Sequence, residues 1–273
     1  MNLFMREVRA TIGSRTIEEP LTIYFDIPFD DGDKVNDISI KIYNLSDNTI
    51  NGFKNGQRVI LTAGYKGDAG TIFDGKLKKV STEWESVDKI TTFLCIDDKG
   101  NFLSTKVKKT YAANTNAKTI LNDLIGKSGL SIGELSLPTN FVYRSGKTIN
   151  GKLGTAVIAI AKDCKAKVHI NRNKIYIRDK NKGNTIAFEV SKETGLIDNP
   201  TVIEDETNDV QKKKKIKRTG YSLNMLLNHR ITVDSLIQLN SKTVKGLFRV
   251  EKGKHSGSNR DDEFYTYVEV YPL

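Results

Sequence analysis

NDISIKIYNLSDNTINGFKNGQRVILTAGYKGDAGTIFDGKL, residues Asn36 to Leu77, decides how the rest of the chain reads. Ile38, Ile40 and Ile42 alternate with Ser39, Lys41 and Tyr43, a period of two that gives a β-strand one apolar face. QRVILTAGY (Gln57 to Tyr65) and TIFDGKLKKVS (Thr71 to Ser81) are rich in β-branched and aromatic residues. Between these runs sit KNG and KGDAG, where Gly supplies backbone angles that other residues resist. Outward from this stretch, LTIYFDIPF (Leu21 to Phe29) and KITTFLCI (Lys89 to Ile96) repeat the pattern, with DDGD as a further turn. Many short strands at this spacing predict a β-barrel or sandwich over residues 1–101.

The pattern changes near Phe102. NTNAKTILNDLIGKSGL has a polar start, Ile120, Leu121, Leu124 and Ile125 at helical spacing, and a glycine exit between Gly126 and Gly129. LGTAVIAIAKDCKA predicts a second helix from Leu153 to about Ala166, and VHINRNKIYIRD a hairpin turning at Asn171 to Asn173. Residues 102–184 therefore read as a small α/β insert. Strands return over 185–273 in IAFEVS, PTVIED, HRITVDSLIQLNS, VKGLFRVEKGKHS and EFYTYVEVYP. The fold class is mainly β with an α/β insert: two antiparallel β-barrel domains flanking a small α+β domain, with helices confined to the insert. The two β regions also rhyme. RVILTAGY returning through Phe73 into TIFDGKLKKV resembles DSLIQLNS returning through Phe248 into GLFRVEKGKH, which suggests a duplication.

Charge raises a separate question. The 273 residues carry 43 Lys and Arg against 33 Asp and Glu, a formal charge of +10, which favours polyanionic neighbours but also suits a solvated surface. Six of the seven positions Lys212 to Arg218 are basic, two residues after the acidic run EDETND. One reading makes them a phosphate grip; the other puts Lys215, Lys217 and Thr219 on the wet face of a strand in a charged hairpin, with Ile216 turned inward. The helix-turn-helix, zinc-finger and aromatic-platform patterns of nucleic-acid readers are missing.

Catalytic chemistry does not assemble from the sequence. His169, His229 and His255 have no metal-ligand spacing, and His169 reads as a half-exposed strand residue. No GxSxG elbow or P-loop occurs, and the pairs Asp97–Asp98 and Asp261–Asp262 fall in turns. Cys95 and Cys164 read as reduced core thiols, and Trp84 as packing or rim. The expectation is therefore no catalytic, cofactor or metal site, and no enzyme. No apolar run approaches the roughly 20 residues of a membrane span, and the first residues lack the h-region of a secretory signal.

Taken together, these segments resemble bacteriophage tail hub proteins. The stretch from Asn36 to Leu77 resembles their N-terminal barrel, the segment from Thr115 to Ile177 their α/β insert, and ETGLIDNPTVIEDE with the last two hairpins their closing barrel. The family includes baseplate hubs of contractile tails, late control protein D, and the hub portion of type VI secretion spike proteins. The resemblance implies a structural virion protein, assembled in the bacterial host cytoplasm into the tail baseplate. It implies a homotrimer with two barrels per chain, near-sixfold toward the tail tube or tube-initiator protein and threefold toward the central spike. Tape-measure protein and transient DNA would pass through the axial channel, with no membrane insertion. Because nothing follows Leu273, the spike is expected as a separate protein. A sequence-nonspecific nucleic-acid-binding protein and a tail-associated cell-wall hydrolase are the alternatives.

Overall fold

The computed structural model describes residues 5–30, 36–97, 99–179, 187–209, 214–261 and 263–273, with 99–101, 206–209 and 214–216 as backbone alone. The first β unit contains β1 (Arg6–Ile12), β2 (Arg15–Ile17), β3 (Ile23–Asp30), β4 (Asp37–Tyr43), the four-residue helix α1 (Asp47–Ile50), β5 (Arg58–Tyr65), β6 (Asp68–Glu85) and β7 (Asp88–Ile96). Next come α2 (Lys99–Ser104), β8 (Lys106–Tyr111), β9 (Thr115–Asn116), α3 (Ala117–Gly126), β10 (Ser131–Leu135), β11 (Val142–Tyr143), β12 (Lys147–Lys152), α4 (Leu153–Asp163), β13 (Ala166–Asn171) and β14 (Lys174–Asp179). The second β unit contains β15 (Ala187–Ser191), β16 (Thr201–Asp209), β17 (Lys214–Leu226), β18 (Leu236–Asn240), β19 (Lys245–Ser258) and β20 (Phe264–Pro272).

Three apolar cores follow this order. The first collects the inward faces of β1 to β7, including Ile23, Phe25, Ile38, Ile40, Leu61 and Phe93. The second packs α3 and α4 against β13 and β14; Ile120, Leu121, Leu124 and Ile125 are all buried, as their helical spacing requires. Asn116 caps α3 by accepting from the Thr119 N–H, which answers one of the free donors of the first turn. The third core joins Leu223, Met225, Ile237, Leu239, Val250, Val268 and Val270.

The molecule is mainly β, as expected, but closure of the barrels needs correcting. The strands of both β units belong to one 13-stranded sheet, and among the described residues no ladder closes. The reason is β19. Its first part, Lys245 to Arg249, pairs with β18, whereas Lys252 to Ser258 pairs with β3, so the ladder runs on from one unit into the other. Helices also extend outside the insert: α1 lies within the first unit, where Ser46 caps a single turn. Among the described residues of the 13-stranded sheet one pair, β15 with β18, is parallel, and in the insert β10 is parallel to β14.

The two units repeat one plan. Neighbours run β3-β4-β7-β6-β5-β1 in the first and β16-β17-β20-β19-β18-β15 in the second, and the chain visits corresponding strands in the same order. The register matches as well. A shift follows Leu77 in the β6–β7 ladder and Val250 in the β19–β20 ladder. The Gly56 N–H donates to the Leu77 carbonyl and the Leu77 N–H to Gln57; likewise the Asp234 N–H donates to Val250 and the Val250 N–H to Ser235. Gly56 and Asp234 both have positive φ, 86° and 63°, a region open to Gly and tolerated by Asp. This register sets Phe248 against Gly75 and not Phe73. The ring of Phe73 lies over Gly75, where an added Cβ would meet its Cζ at 2.4 Å. The aromatic position of the sequence rhyme is thus kept in space and displaced by two residues along the chain.

Candidate assembly site

The lysine-rich stretch is one strand of a charged hairpin. Within the described residues β17 pairs antiparallel with β16, which sets Lys217 opposite Glu206, Arg218 opposite Asp205 and Lys214 opposite Asp209; Lys212 and Lys213 lie outside the described residues. Lys217 is exposed, whereas Arg218 is half-buried and donates to both Glu251 oxygens at 2.8 and 3.0 Å and to Asp205 at 3.3 Å. Its guanidinium lies 4.2 Å from the Tyr271 ring centre. Arg249 also donates to Glu251, at 2.8 Å. Burial pushes the Glu251 carboxyl up, but the bonds and charges of the two arginines outweigh it and hold the group below its ordinary value.

A second ionic cluster fixes the insert. Asp234 is fully buried and takes Lys167, Arg178 at 3.0 Å and His169 at 3.2 Å, with Arg249 at 3.8 Å. Lys167 and His169 come from β13 and Arg178 from β14, while Asp234 precedes β18. Arg178 also reaches Glu134 at 3.1 Å. Burial pushes the Asp234 carboxyl up; the charges of His169 and Lys167 and the bonds from Lys167 and Arg178 bring it below its ordinary value. Arg172, at the turn of the β13–β14 hairpin, donates to the His229 carbonyl. The space between this turn, β3 and β6 holds only about 40 Å³, roughly one water and too small for a substrate.

The histidines serve packing. His169 is buried, contrary to the half-exposed expectation, because its ring stacks on Tyr176 with centres 4.8 Å apart and points toward Asp234. His255 is buried in the joint between β19 and β3, and its Nδ1 shares a 2.9 Å hydrogen bond with the Thr266 hydroxyl. Burial, with the charge of Arg172, lowers its pKa to about 3, so the ring is neutral near neutral pH. His229 is lowered by burial too, and lies 3.9 Å from Asp68. Asp68 is held by Arg230 at 3.0 Å, a link from the second unit to the β5–β6 turn. Among the described residues no group of three or more His, Cys, Asp and Glu side chains could hold a metal ion. Cys95 and Cys164 are free and buried, and burial raises the Cys95 thiol to about 12. Asp98 and Asp262 lie outside the described residues.

Two strand edges carry exposed apolar side chains. The β6–β7 hairpin projects past β5 and carries Trp84 and Val87 at its tip, 70% and 84% exposed. Val202, on β16 at the end of the sheet, is 58% exposed. Such edges suit assembly with other chains.

Structural comparison agrees with that character. The tail protein from Neisseria meningitidis superposes with a TM-score of 0.69 over 98% of this chain and 97% of its own, at 8% identity. The 43 kDa tail protein of prophage MuSo2 from Shewanella oneidensis gives 0.69 over 98% of each chain, at 7% identity. An E. coli component of the type VI secretion system, itself similar to T4 bacteriophage tail proteins gp27 and gp5, gives 0.61 over 99% of this chain and 77% of its own, at 7% identity. The fold is thus that of phage tail and type VI secretion proteins. The family model Baseplate hub gp41 matches residues 8–270, and the chain belongs to that family. It is a structural baseplate protein. No curated protein matches the sequence.

Proposed function

We propose that the chain is a hub subunit that closes into a trimeric ring and joins a sixfold tail tube to a threefold central spike. The repeated strand order carries this reading: two β units per chain turn three copies into six similar surfaces, so a threefold and a sixfold partner can share one ring. Residues 1–101 and 185–273 would be the two hub domains, and 102–184, present once per chain, would mark the remaining threefold. No enzymatic step is assigned; the chain acts by shape and strand edges, with tape-measure protein or DNA passing through the channel. The charge pairing of β16 with β17 weighs against a separate role as a nucleic-acid-binding protein. Native mass spectrometry of hub complexes released from assembled tails tests the reading. Three copies per complex, in contact with tube and spike proteins, are expected; a single copy or a ring of six overturns it.

A further inference from the structure

The two β units end differently, and their shared register says what is missing. In the second unit β19 leaves β18 after Arg249 and pairs antiparallel with β3 from Lys252 to Ser258. In the first, β6 leaves β5 after Lys76, and beyond that point it has β7 on one side only among the described residues. The counterpart of β3 is β16, which among the described residues pairs with β17 alone. One chain therefore contains the joint once and each half of it once more, unjoined. The halves sit at opposite ends of an eight-strand ladder, β16-β17-β20-β19-β3-β4-β7-β6, separated by seven steps or about 33 Å along it.

We infer that the β6 edge from Lys78 to Glu85 pairs antiparallel with the β16 edge of a second copy, repeating between chains the β19–β3 joint that each chain makes within itself. This rests on the ring reading and names its interface. Such a contact is head-to-tail, and it closes when the rotation per chain is one third of a turn.

The register follows from the matched positions. Lys252 opposite Asp30 becomes Lys79 opposite Asp205, His255 opposite Ile27 becomes Thr82 opposite Val202, and Gly257 opposite Phe25 becomes Trp84 opposite Pro200. Two independent observations agree with it. The charges repeat, since each joint sets a lysine against an aspartate. The exposed apolar groups also fall in the right places. Thr82 and Trp84 share a strand face with Val80, which pairs with the buried Phe93, so Trp84 stands on the core-facing side of β6 yet is 70% exposed. Val202 occupies the place of Ile27, which is 2% exposed, yet is itself 58% exposed. Both are core positions that no described strand of the single chain covers. An uncovered edge of this kind invites strand addition.

Cross-linking of the full chain tests the pairing, because opposed Cα atoms of an antiparallel pair lie about 4.5–5.5 Å apart, inside disulfide reach. The Thr82→Cys, Val202→Cys double variant, oxidised in assembled tails, is expected to give covalent trimers. Trimers in native mass spectra with no such cross-link, or a cross-link to another protein, overturn the pairing and leave the ring standing; absence of trimers in any preparation overturns the ring itself. Trp84 is the one tryptophan of the chain, so its emission reports the interface without labelling. A blue shift on assembly is expected, and unchanged emission in the assembled trimer counts against the pairing. Trp84→Ser should weaken association roughly tenfold or more with the melting temperature of the free chain unchanged; association unaffected by this variant also overturns it.

Discussion

The first and second β units follow one plan with opposite outcomes at the edge. In the first, β3 is covered by β19, and Ile27 and Phe25 are buried in the core. In the second, β16 stands at the end of the sheet with Val202 exposed and Glu204 and Asp205 beside it. The difference teaches that topology and register set which positions face a core, while the presence of one more strand decides whether they are buried. It also separates backbone need from charge. Gly56 and Asp234 occupy the same left-handed turn with the same backbone hydrogen bonds, but only Asp234 has an insert to hold.

The largest effect should come from that turn. Asp234→Asn keeps size and tolerates the backbone, but leaves Lys167 and Arg178 facing a neutral amide at a buried site. A loss of about 3–5 kcal/mol is expected, read from urea unfolding at neutral pH. The pH sign follows from the lowered carboxyl. The contribution is full above the ordinary value of 3.8, and is lost as pH falls from there through the lower folded value. The variant should lack that acid-side loss. Were Asp234→Asn neutral, the insert would be held by packing alone.

The next test sets equivalent positions side by side. Ile27→Ala empties a filled core site and should cost about 2–5 kcal/mol. Val202→Ala removes methyls already in water and should change the stability of the free chain by less than about 0.5 kcal/mol. Equal losses at the two positions would break the comparison, because Val202 would then be a core residue of the single chain.

Much of this was legible in the sequence. Alternation in NDISIKIYNL fixed which residues of β4 face inward, and the Asn171 to Asn173 turn was visible because its φ-positive positions favour such residues. The i, i+3, i+4 spacing of Ile120, Leu121, Leu124 and Ile125 located α3. What alternation cannot say is which strand lies beside which edge. It gives the face of each side chain but not the neighbour, so closed barrels and a continuous ladder read alike. The ionic clusters were hidden for the same reason. Asp234 and Lys167 are 67 residues apart in the chain and meet only after β13 and β18 are placed. His169 looked half-exposed because its alternating strand suggests a wet face, whereas the insert packs that face onto the second unit.

A graded effect, absent at neutral pH and felt only on acidification, concerns His255 inside the intrachain joint. Its pKa near 3 lies below the ordinary 6.5, so on acidification the unfolded chain takes up the proton first. Its stabilising contribution is complete above pH 6.5 and declines as pH falls toward 3, by about 1.4 kcal/mol per unit. Thr82 fills the equivalent place on β6 and does not titrate there. His255→Thr, which gives the intrachain joint the residue of the other edge, should flatten the stability profile between pH 6.5 and 4. A profile unchanged by the substitution would mean that another group carries the acid sensitivity.

The smallest expected change falls where the sequence is most conspicuous. Lys217 and Arg218 are neighbours in the basic run, yet the strand turns them to different surroundings. Arg218 is half-buried against Tyr271 and grips Glu251, whereas Lys217 is exposed opposite Glu206. An exposed lysine gains little from a cross-strand charge, because water screens the attraction and its long side chain must be ordered to meet it. Lys217→Ala should therefore shift stability by less than about 0.5 kcal/mol, and less still as salt is raised. A loss above 1 kcal/mol at moderate salt would show that the run does more than balance the acidic strand beside it. The contrast with Arg218 would then be one of degree, and density of charge in the sequence would have been the better guide to where the hairpin is held.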